Sequence, residues 1–205
     1  MMDHDLTMSF TTGGLFLHES IKLAALFVEL SDWESVRSKV LAENLLQTRM
    51  INTSKRIFRE VCPRLKVLSP KELQLLVDGS NQEQGYILWL AVCRRYEFIS
   101  DFAREVIRER YLSLRTDLLY EDFDYFFHRE SVLHPELRKI RPATQKKLRQ
   151  VLFRILREAD LLTSVGRINP TLLSTRFVRT VSEKNPLDLF LFPISNDLIK
   201  GAIQS

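Results

Sequence analysis

The chain has 205 residues, and 45% of them are hydrophobic, which is enough for a buried core. Only 6 glycines and 7 prolines, together with abundant Leu, Arg and Glu, argue against an all-β fold and favour helices. The formal net charge is +4, from 30 Lys and Arg against 26 Asp and Glu, so the chain as a whole is modestly basic. We predict an all-α, compact, multi-helix globular protein.

The lengths of the apolar runs and the positions of the cysteines indicate the cellular compartment of the protein. The longest apolar runs, 23–28 and 87–93, are far shorter than the roughly 20 residues that a membrane-spanning helix needs. Cys62 and Cys93 fall within apolar helical patterns, which indicates buried and reduced thiols rather than a disulfide framework. We therefore expect a cytoplasmic protein that makes no membrane contact.

The first part of the chain is patterned as three consecutive helices. Residues 15–30 are apolar on nearly every side, which predicts a helix at the centre of the fold. Asp32 is a suitable N-cap for a second helix over about 33–46. Asn52 or Thr53 can cap a third helix in the same way.

The next part of the chain carries clear helix boundaries. Ser69 followed by Pro70 begins a fourth helix, and Gly79 ends it. A long helical region then covers about 82–114, and the polar residues near Ser100 predict a break within it.

The second half of the chain begins with an acidic, aromatic segment, 117–128, and we place a subdomain boundary near it. Residues 163–170 contain a glycine and an Asn-Pro pair and are predicted to form a turn or a short β-wing. A helix over about 170–184 follows, and the apolar tail from 186 to 205 should pack back onto the body.

This pattern predicts three units: an N-terminal arm of residues 1–14, a helical subdomain of residues 15–115 and a second helical subdomain of residues 116–205.

The strongest functional signal is a run of basic residues between Leu137 and Arg157 with no acidic residue among them. Its local charge exceeds the net charge of the whole chain, so positive charge is concentrated there. On a helix over about 142–162, the apolar residues form one stripe and the basic residues lie opposite. Such a face is typical of a polyanion site, although a solvated surface helix is the alternative. The candidate contacts are Lys146, Lys147, Arg149, Arg154 and Arg157.

The helices over 33–46 and from Asn52 onward form a first helix-turn-helix candidate, in which the second helix would enter the major groove of DNA. Its basic side chains share one face of that second helix. The alternative is a packed helical hairpin with a charged surface. The candidate contacts are Lys55, Arg56, Arg59 and Lys66.

The basic helix and the segments after it form a second candidate, which is similar to the end of a winged-helix unit. The last helix supplies further basic donors, Arg176 and Arg179. Two basic faces, far apart in the sequence, favour double-stranded nucleic acid over a generic basic surface.

The sequence gives no positive case for catalysis. Gly13-Gly14 is not followed by the Gly-Lys-Ser/Thr of a phosphate-binding loop. The histidines and cysteines lack zinc spacing, and the acids near Asp117 are explained by the favourable field at a helix start. We expect a non-enzymatic protein with no cofactor, no metal site and no small-molecule substrate.

Six segments of the chain together point to a known family, and they are SFTTGGLFLHESIKLAALFVEL, DWESVRSKVLAENLLQTR, NTSKRIFREVCPRL, YILWLAVCRRYEFISDFAREVIRERY, YEDFDYFF and TQKKLRQVLFRILREADLL. Through them the chain resembles the BrxA family of bacterial BREX (bacteriophage exclusion) systems, and the resemblance extends from about Ser9 to the last helix. The resemblance implies an all-helical, monomeric, non-enzymatic protein of a phage-defence system that binds duplex DNA through helix-turn-helix units. Other BREX proteins are its implied partners.

Three alternatives to duplex DNA binding remain open. The basic faces would also serve an interaction scaffold that docks acidic partner proteins, or a helical protein that binds RNA. A metal-dependent nuclease is the least favoured, because no lysine or histidine completes a nuclease motif around the acids.

Overall fold

The protein is described by a computed structural model that covers residues 8–11, 13–197, 199 and 201. Across these residues the backbone forms helices and no sheet, so the predicted all-α fold is confirmed. Most of the predicted N-terminal arm, residues 1–7 and 12, lies outside the described residues.

The helices in the first half of the chain are α1 (Leu17–Leu30), α2 (Trp33–Ala42), α3 (Ile51–Leu65), α4 (Pro70–Asp78), α5 (Asn81–Arg95) and α6 (Glu97–Phe102). A π-helical turn, Ala103–Arg108, joins α6 to the short α7 (Glu109–Leu112). The second half contains α8 (Tyr120–Leu133), a 3₁₀ turn (Pro135–Lys139), α9 (Pro142–Glu158), α10 (Thr175–Ser182) and a last 3₁₀ turn (Pro186–Leu191).

Local capping signals fix several of these boundaries. Asp32 accepts a 2.7 Å hydrogen bond from the backbone N–H of Ser35, as predicted for the N-cap of α2. Ser69 and Ser80 each form a capping box with the glutamate three residues later, so the starts of both α4 and α5 are fixed locally. Helix α4 ends at Gly79, also as predicted.

The prediction that 15–30 forms the central helix is wrong. In α1 only Ser20, Leu23 and Ala24 are buried, and Val28 is 43% exposed. The central helix is α5, in which every residue from Gln84 to Cys93 is buried. Helix α5 packs against α3, α4 and α6 and against α1, which surround it and remove all of its sides from water.

The predicted break near Ser100 is also misplaced, because the chain bends at Tyr96 instead. The backbone of Tyr96 is extended, and its ring lies 5.3 Å from that of Phe10, which is fully buried. The residue at the bend therefore packs on the N-terminal segment, while Ser100 is buried inside α6.

Two smaller boundaries also differ from expectation. Helix α3 begins at Ile51 with Met50 as its N-cap, so neither Asn52 nor Thr53 caps it. The last helix is shorter than 170–184, because the chain before Ser174 is extended and Ser174 caps α10 through the backbone N–H of Phe177.

The tail packs back onto the body, as predicted, over its described residues. The indole N–H of Trp89 donates a 2.9 Å hydrogen bond to the carbonyl of Leu191. Arg94 makes 2.7 Å contacts with both Glu72 and Asp188, which ties α4, α5 and the last 3₁₀ turn together. The buried apolar residues from both halves of the chain form one core cluster.

Candidate nucleic-acid interface

Helix α9 is amphipathic in the way the sequence predicts. Pro142 occupies its first turn, where the missing N–H is not needed. Its buried residues pack inward, and they are Leu148, Val151, Leu152, Phe153, Ile155 and Leu156. Four basic side chains are exposed on the other side, and we call them the α9 basic face: Lys146, Lys147, Arg154 and Arg157.

The α9 basic face has no acidic partner among the described residues. Arg154 lies 3.4 Å from the carbonyl oxygen of Gly13, which neutralises no charge. The first turn of α9 contains no acid either. Since none of these four charges is compensated by an ion pair in the described part of the chain, they are free to contact an external anion.

Arg149 differs from the expectation that it belongs to this exposed set. It forms an ion pair with Asp124 of α8, and its guanidinium lies 4.7 Å from the centre of the Tyr120 ring. Gln145 also donates to Asp124, at 3.3 Å. The side-by-side packing of α8 and α9 places this acid on Arg149, so Arg149 serves the fold.

The predicted wing is present as a small turn held by backbone pairing, not as a sheet. Isolated antiparallel bridges join Leu162 to Ile168 and Asp117 to Arg167. The backbone N–H of Leu118 donates to the carbonyl of Gly166 at 2.7 Å, and Gly166 has a φ of 85°, a left-handed conformation that favours glycine. Val165, at the tip, is 79% exposed.

Around this turn the chain runs through an extended segment, α8, α9 and then two paired segments, which is the order that the predicted winged-helix-like unit requires. The connection between α8 and α9 runs from His134 to Arg141 and contains a 3₁₀ turn, which is longer than the three or four residues of a simple helix-turn-helix. The helix-turn-helix interpretation of this pair therefore stays a prediction.

The two basic residues of α10 have different surroundings. Arg176 is bonded to Asp78 at 2.5 Å, across the interface between α10 and α4. Arg179 is exposed and has no ion pair among the described residues. Arg179 is therefore directly available as an additional donor, whereas Arg176 would first have to exchange its exposed contact with Asp78.

The basic residues of α3 line an open groove between α2 and α3, with a volume of about 690 Å³. Lys55, Arg56 and Arg59 are all exposed there, and none has an ion pair within the described chain. Lys66, also exposed, follows the end of α3. The connection from α2 to α3 runs from Glu43 to Met50, again longer than a simple helix-turn-helix allows.

A loop near the N-terminus, Gly13 to Leu15, links α3 to α9, which the sequence did not predict. Arg64 of α3 donates to the carbonyl of Gly14 at 2.8 Å, and Glu158 of α9 accepts from the backbone N–H of Leu15 at 2.5 Å. A Cβ at Gly14 would lie 2.3 Å from the Glu158 carboxylate, so glycine permits this close approach. The only sequence signal was the Gly13-Gly14 pair itself.

Two acids of the 117–124 segment, Asp122 and Asp124, are engaged within the fold. Asp122 forms an ion pair with Arg110 and accepts from the backbone N–H of Leu119 at 2.8 Å, and Asp124 holds Arg149. Over the described positions, no cluster of three or more His, Cys, Asp or Glu side chains has the arrangement of a metal site. No helix formed by those positions is both long and apolar enough to span a bilayer.

Comparison with known proteins shows which family the chain is similar to. The BrxA family model matches residues 5–185. The BREX protein BrxA of Paramagnetospirillum magneticum (strain AMB-1) is 28% identical over 151 residues, which cover 74% of this chain and 76% of that protein. The BREX protein BrxA of Escherichia coli O9:H4 (strain HS) is 26% identical over 157 residues, covering 77% and 74%.

A third relative has the same family name, and a solved structure has a similar fold. The BREX protein BrxA of Bacillus cereus (strain H3081.97) is 28% identical over 127 residues, covering 62% of this chain and 64% of that protein. The crystal structure of an uncharacterized protein from Magnetospirillum magneticum superposes with a TM-score of 0.79 at 24% identity, over 92% of this chain and 98% of that one, and it supports the fold. Because the family model covers most of its length, the chain belongs to the BrxA family.

Proposed function

We propose that this protein is the duplex DNA-binding component of a BREX phage-defence system and that α9 is its principal contact helix. A place in a BREX system follows from the family, whose relatives are named BREX proteins. The DNA contact is the part that needs testing. The observation that carries it is the α9 basic face, four exposed cations with no acidic partner in the described chain.

The chemistry of this face suits a phosphate backbone. Lys146 and Lys147 lie near the start of α9, and Arg154 and Arg157 lie two to three turns further along, so the charges extend along the helix. Displacement of condensed counterions by such a row of cations drives association with duplex DNA and does not depend on base sequence. The backbone N–H groups at the start of α9 add a favourable site for phosphate oxygens.

The turn after α9 supports contact on both sides of a groove. In a winged-helix unit, the second helix of the pair meets the nucleic acid and the hairpin after it reaches the adjacent backbone. Here Val165 and Arg167 project at that turn, and the Arg167 side chain is 70% exposed. Its contact with Asp117 at 3.7 Å is equally exposed and contributes little to stability, so Arg167 can exchange it for a phosphate.

The proposed activity is binding without catalysis, by a monomer in the cytoplasm. Two of the acids that a nuclease would use for magnesium, Asp122 and Asp124, are paired with arginines, and Asp122 also caps α8, so these two are poorly placed to coordinate a metal. Incubation of plasmid DNA with the protein and Mg²⁺ or Mn²⁺ should leave the plasmid intact. If the purified wild-type protein cleaves the plasmid and the Asp122→Asn variant does not, the proposal of binding without catalysis is contradicted.

Fluorescence anisotropy with a labelled random duplex tests the binding itself. We expect the wild-type protein to bind, and Lys146→Ala/Lys147→Ala to bind more weakly at the same salt concentration. Lys71→Ala is the matched control, because it removes a surface cation of α4 and none of α9. This variant should bind the duplex like the wild-type protein. Competition with an RNA duplex of equal length separates the RNA alternative: stronger displacement by RNA would favour it over DNA.

A further inference from the structure

The groove between α2 and α3 differs from the α9 basic face in shape and in chemistry. Its lining residues, which define the α2–α3 groove, are Glu34, Arg37, Leu41, Asn52, Lys55, Arg56, Phe58, Arg59, Cys62 and Pro63. Basic side chains outnumber acidic ones four to one, and the single acid, Glu34, contacts Arg37 at 3.6 Å. The surface is therefore concave and cationic at its rim.

The floor of the groove is apolar. Leu41 from α2 and Phe58, Cys62 and Pro63 from α3 form it, with Phe58 and Cys62 almost fully buried. A further exposed apolar side chain lies at the start of α3, outside the lining of the groove. There Ile51, which is 56% exposed, lies one turn before Lys55 on the same side of the helix.

Met50, at 64% exposed, adjoins Ile51. Large apolar side chains this exposed are costly to leave in water, and two of them in sequence at the start of the helix that lines the groove mark an interaction surface. Cations beside a continuous apolar strip are complementary to a ligand that has acids beside apolar groups.

Duplex DNA fits this surface poorly. A duplex offers a row of phosphates and convex helical edges, so a protein usually reaches it with a helix that enters the major groove. Ile51, Met50 and the apolar floor would gain nothing from phosphates. An amphipathic helix laid in a groove buries apolar residues at helical spacing and places its charges at the rim.

We propose that the α2–α3 groove is a docking site for an acidic amphipathic helix of a partner protein. The partner's apolar residues, spaced three and four apart, cover Ile51 and the floor residues Phe58 and Leu41. Its Asp and Glu residues meet Lys55, Arg56 and Arg59, with Arg37 on the opposite rim. The protein then has two cationic surfaces with two different ligands, and this assignment stands whether or not α9 binds duplex DNA.

The test uses fluorescein-labelled, overlapping peptides tiled across the other proteins of the same BREX system, titrated against the full chain in anisotropy. Peptides that combine acidic and apolar residues at helical spacing should bind. Lys55→Glu/Arg59→Glu should weaken that binding about tenfold or more, because it reverses two rim charges. Both side chains are exposed and unpaired within the described residues, so the fold should be unaffected, which thermal melting of the variant checks.

Ile51→Ser separates docking from simple charge attraction. It leaves every charge in place and should still weaken peptide binding severalfold, since it removes an apolar contact. The matched control, Lys146→Glu/Lys147→Glu on α9, should bind the same peptides as tightly as wild type.

Four results would overturn the proposal. The first is that no tiled peptide binds. The second is that Ile51→Ser leaves peptide affinity unchanged. The third is that Lys55→Glu/Arg59→Glu lowers duplex DNA affinity as strongly as the α9 variant, which would assign the groove to nucleic acid. The fourth is self-association of the wild-type chain in sedimentation that Ile51→Ser abolishes, which would assign it to a second copy.

Discussion

Arg149 and Lys147 lie two positions apart on α9, and their surroundings assign them different tasks. Lys147 is exposed and has no acidic partner among the described residues, whereas Arg149 is held by Asp124 and stacks on Tyr120. The sequence could place both on the polar side of a helix, but it could not show that an acid from α8 reaches one of them. Tertiary packing decides which cations remain available to a ligand.

Replacing Arg149 by Met should therefore reduce stability without affecting DNA binding. The loss of the ion pair and of the contact with Tyr120 should lower the free energy of unfolding by about 1 kcal/mol. Lys147→Met should show the reverse, with unchanged stability and weaker duplex binding. Urea unfolding and anisotropy on both variants check this, and a fall in duplex affinity for Arg149→Met as large as that for Lys147→Met would refute the distinction.

Asp101 predicts a specific pH dependence of stability. Burial, reinforced by the nearby charge of Glu97, raises its pKa from 3.8 to about 6. A carboxyl whose pKa is raised on folding binds its proton more tightly in the folded state. Its contribution to stability is therefore complete below its ordinary pKa and is lost as the pH rises through about 6.

Asp101→Asn, which mimics the neutral form, should be more stable than wild type at neutral pH and show no such advantage at about pH 4. Thermal melting across this range checks the prediction. The exposed Glu43→Gln is the control and should follow wild type at every pH. An advantage of Asp101→Asn that is the same at both ends of the range would show that the effect is not one of ionisation.

At the scale of helices, local signals could be read from the sequence and distant contacts could not. Ser69, Pro70 and Gly79 bound α4 as predicted, because capping depends on neighbouring backbone groups. The bend at Tyr96 was missed because it depends on Phe10, far away in the sequence. The π-helical turn that follows α6 carried no signal that we could use.

The ion pairs that join α4 and α5 to the tail predict that replacing Arg94 lowers the free energy of unfolding strongly. Arg94→Met would leave Glu72, which is fully buried, and Asp188 without their cation. Unpaired buried charges of this kind cost about 3–5 kcal/mol. Urea unfolding should show that loss for Arg94→Met.

Lys71→Met is the control for Arg94→Met, because it breaks an exposed ion pair with Glu183 and should cost no more than about 1 kcal/mol. If both variants lose the same free energy of unfolding, burial does not determine how much the Arg94 ion pairs contribute to stability.

At the scale of the molecule, one core carries two cationic surfaces. The Gly13 to Leu15 loop is hydrogen-bonded to Arg64 on α3 and to Glu158 on α9. The two helices that carry the cationic surfaces therefore contact the same segment. The helical fold and both basic faces were predictable from residue periodicity. The concave form of the α2–α3 groove was not, because it depends on the spacing of α2 from α3.

The salt dependence of duplex binding tests whether α9 is the helix that contacts DNA. The logarithm of the association constant should fall linearly with the logarithm of salt concentration, and each phosphate contact should contribute roughly 0.9 to that slope. We predict that Lys146→Ala/Lys147→Ala reduces the slope by the equivalent of one to two contacts, while Arg149→Met leaves it as in wild type. A slope that is the same in wild type and in Lys146→Ala/Lys147→Ala would contradict the account of α9 as the DNA-contacting helix.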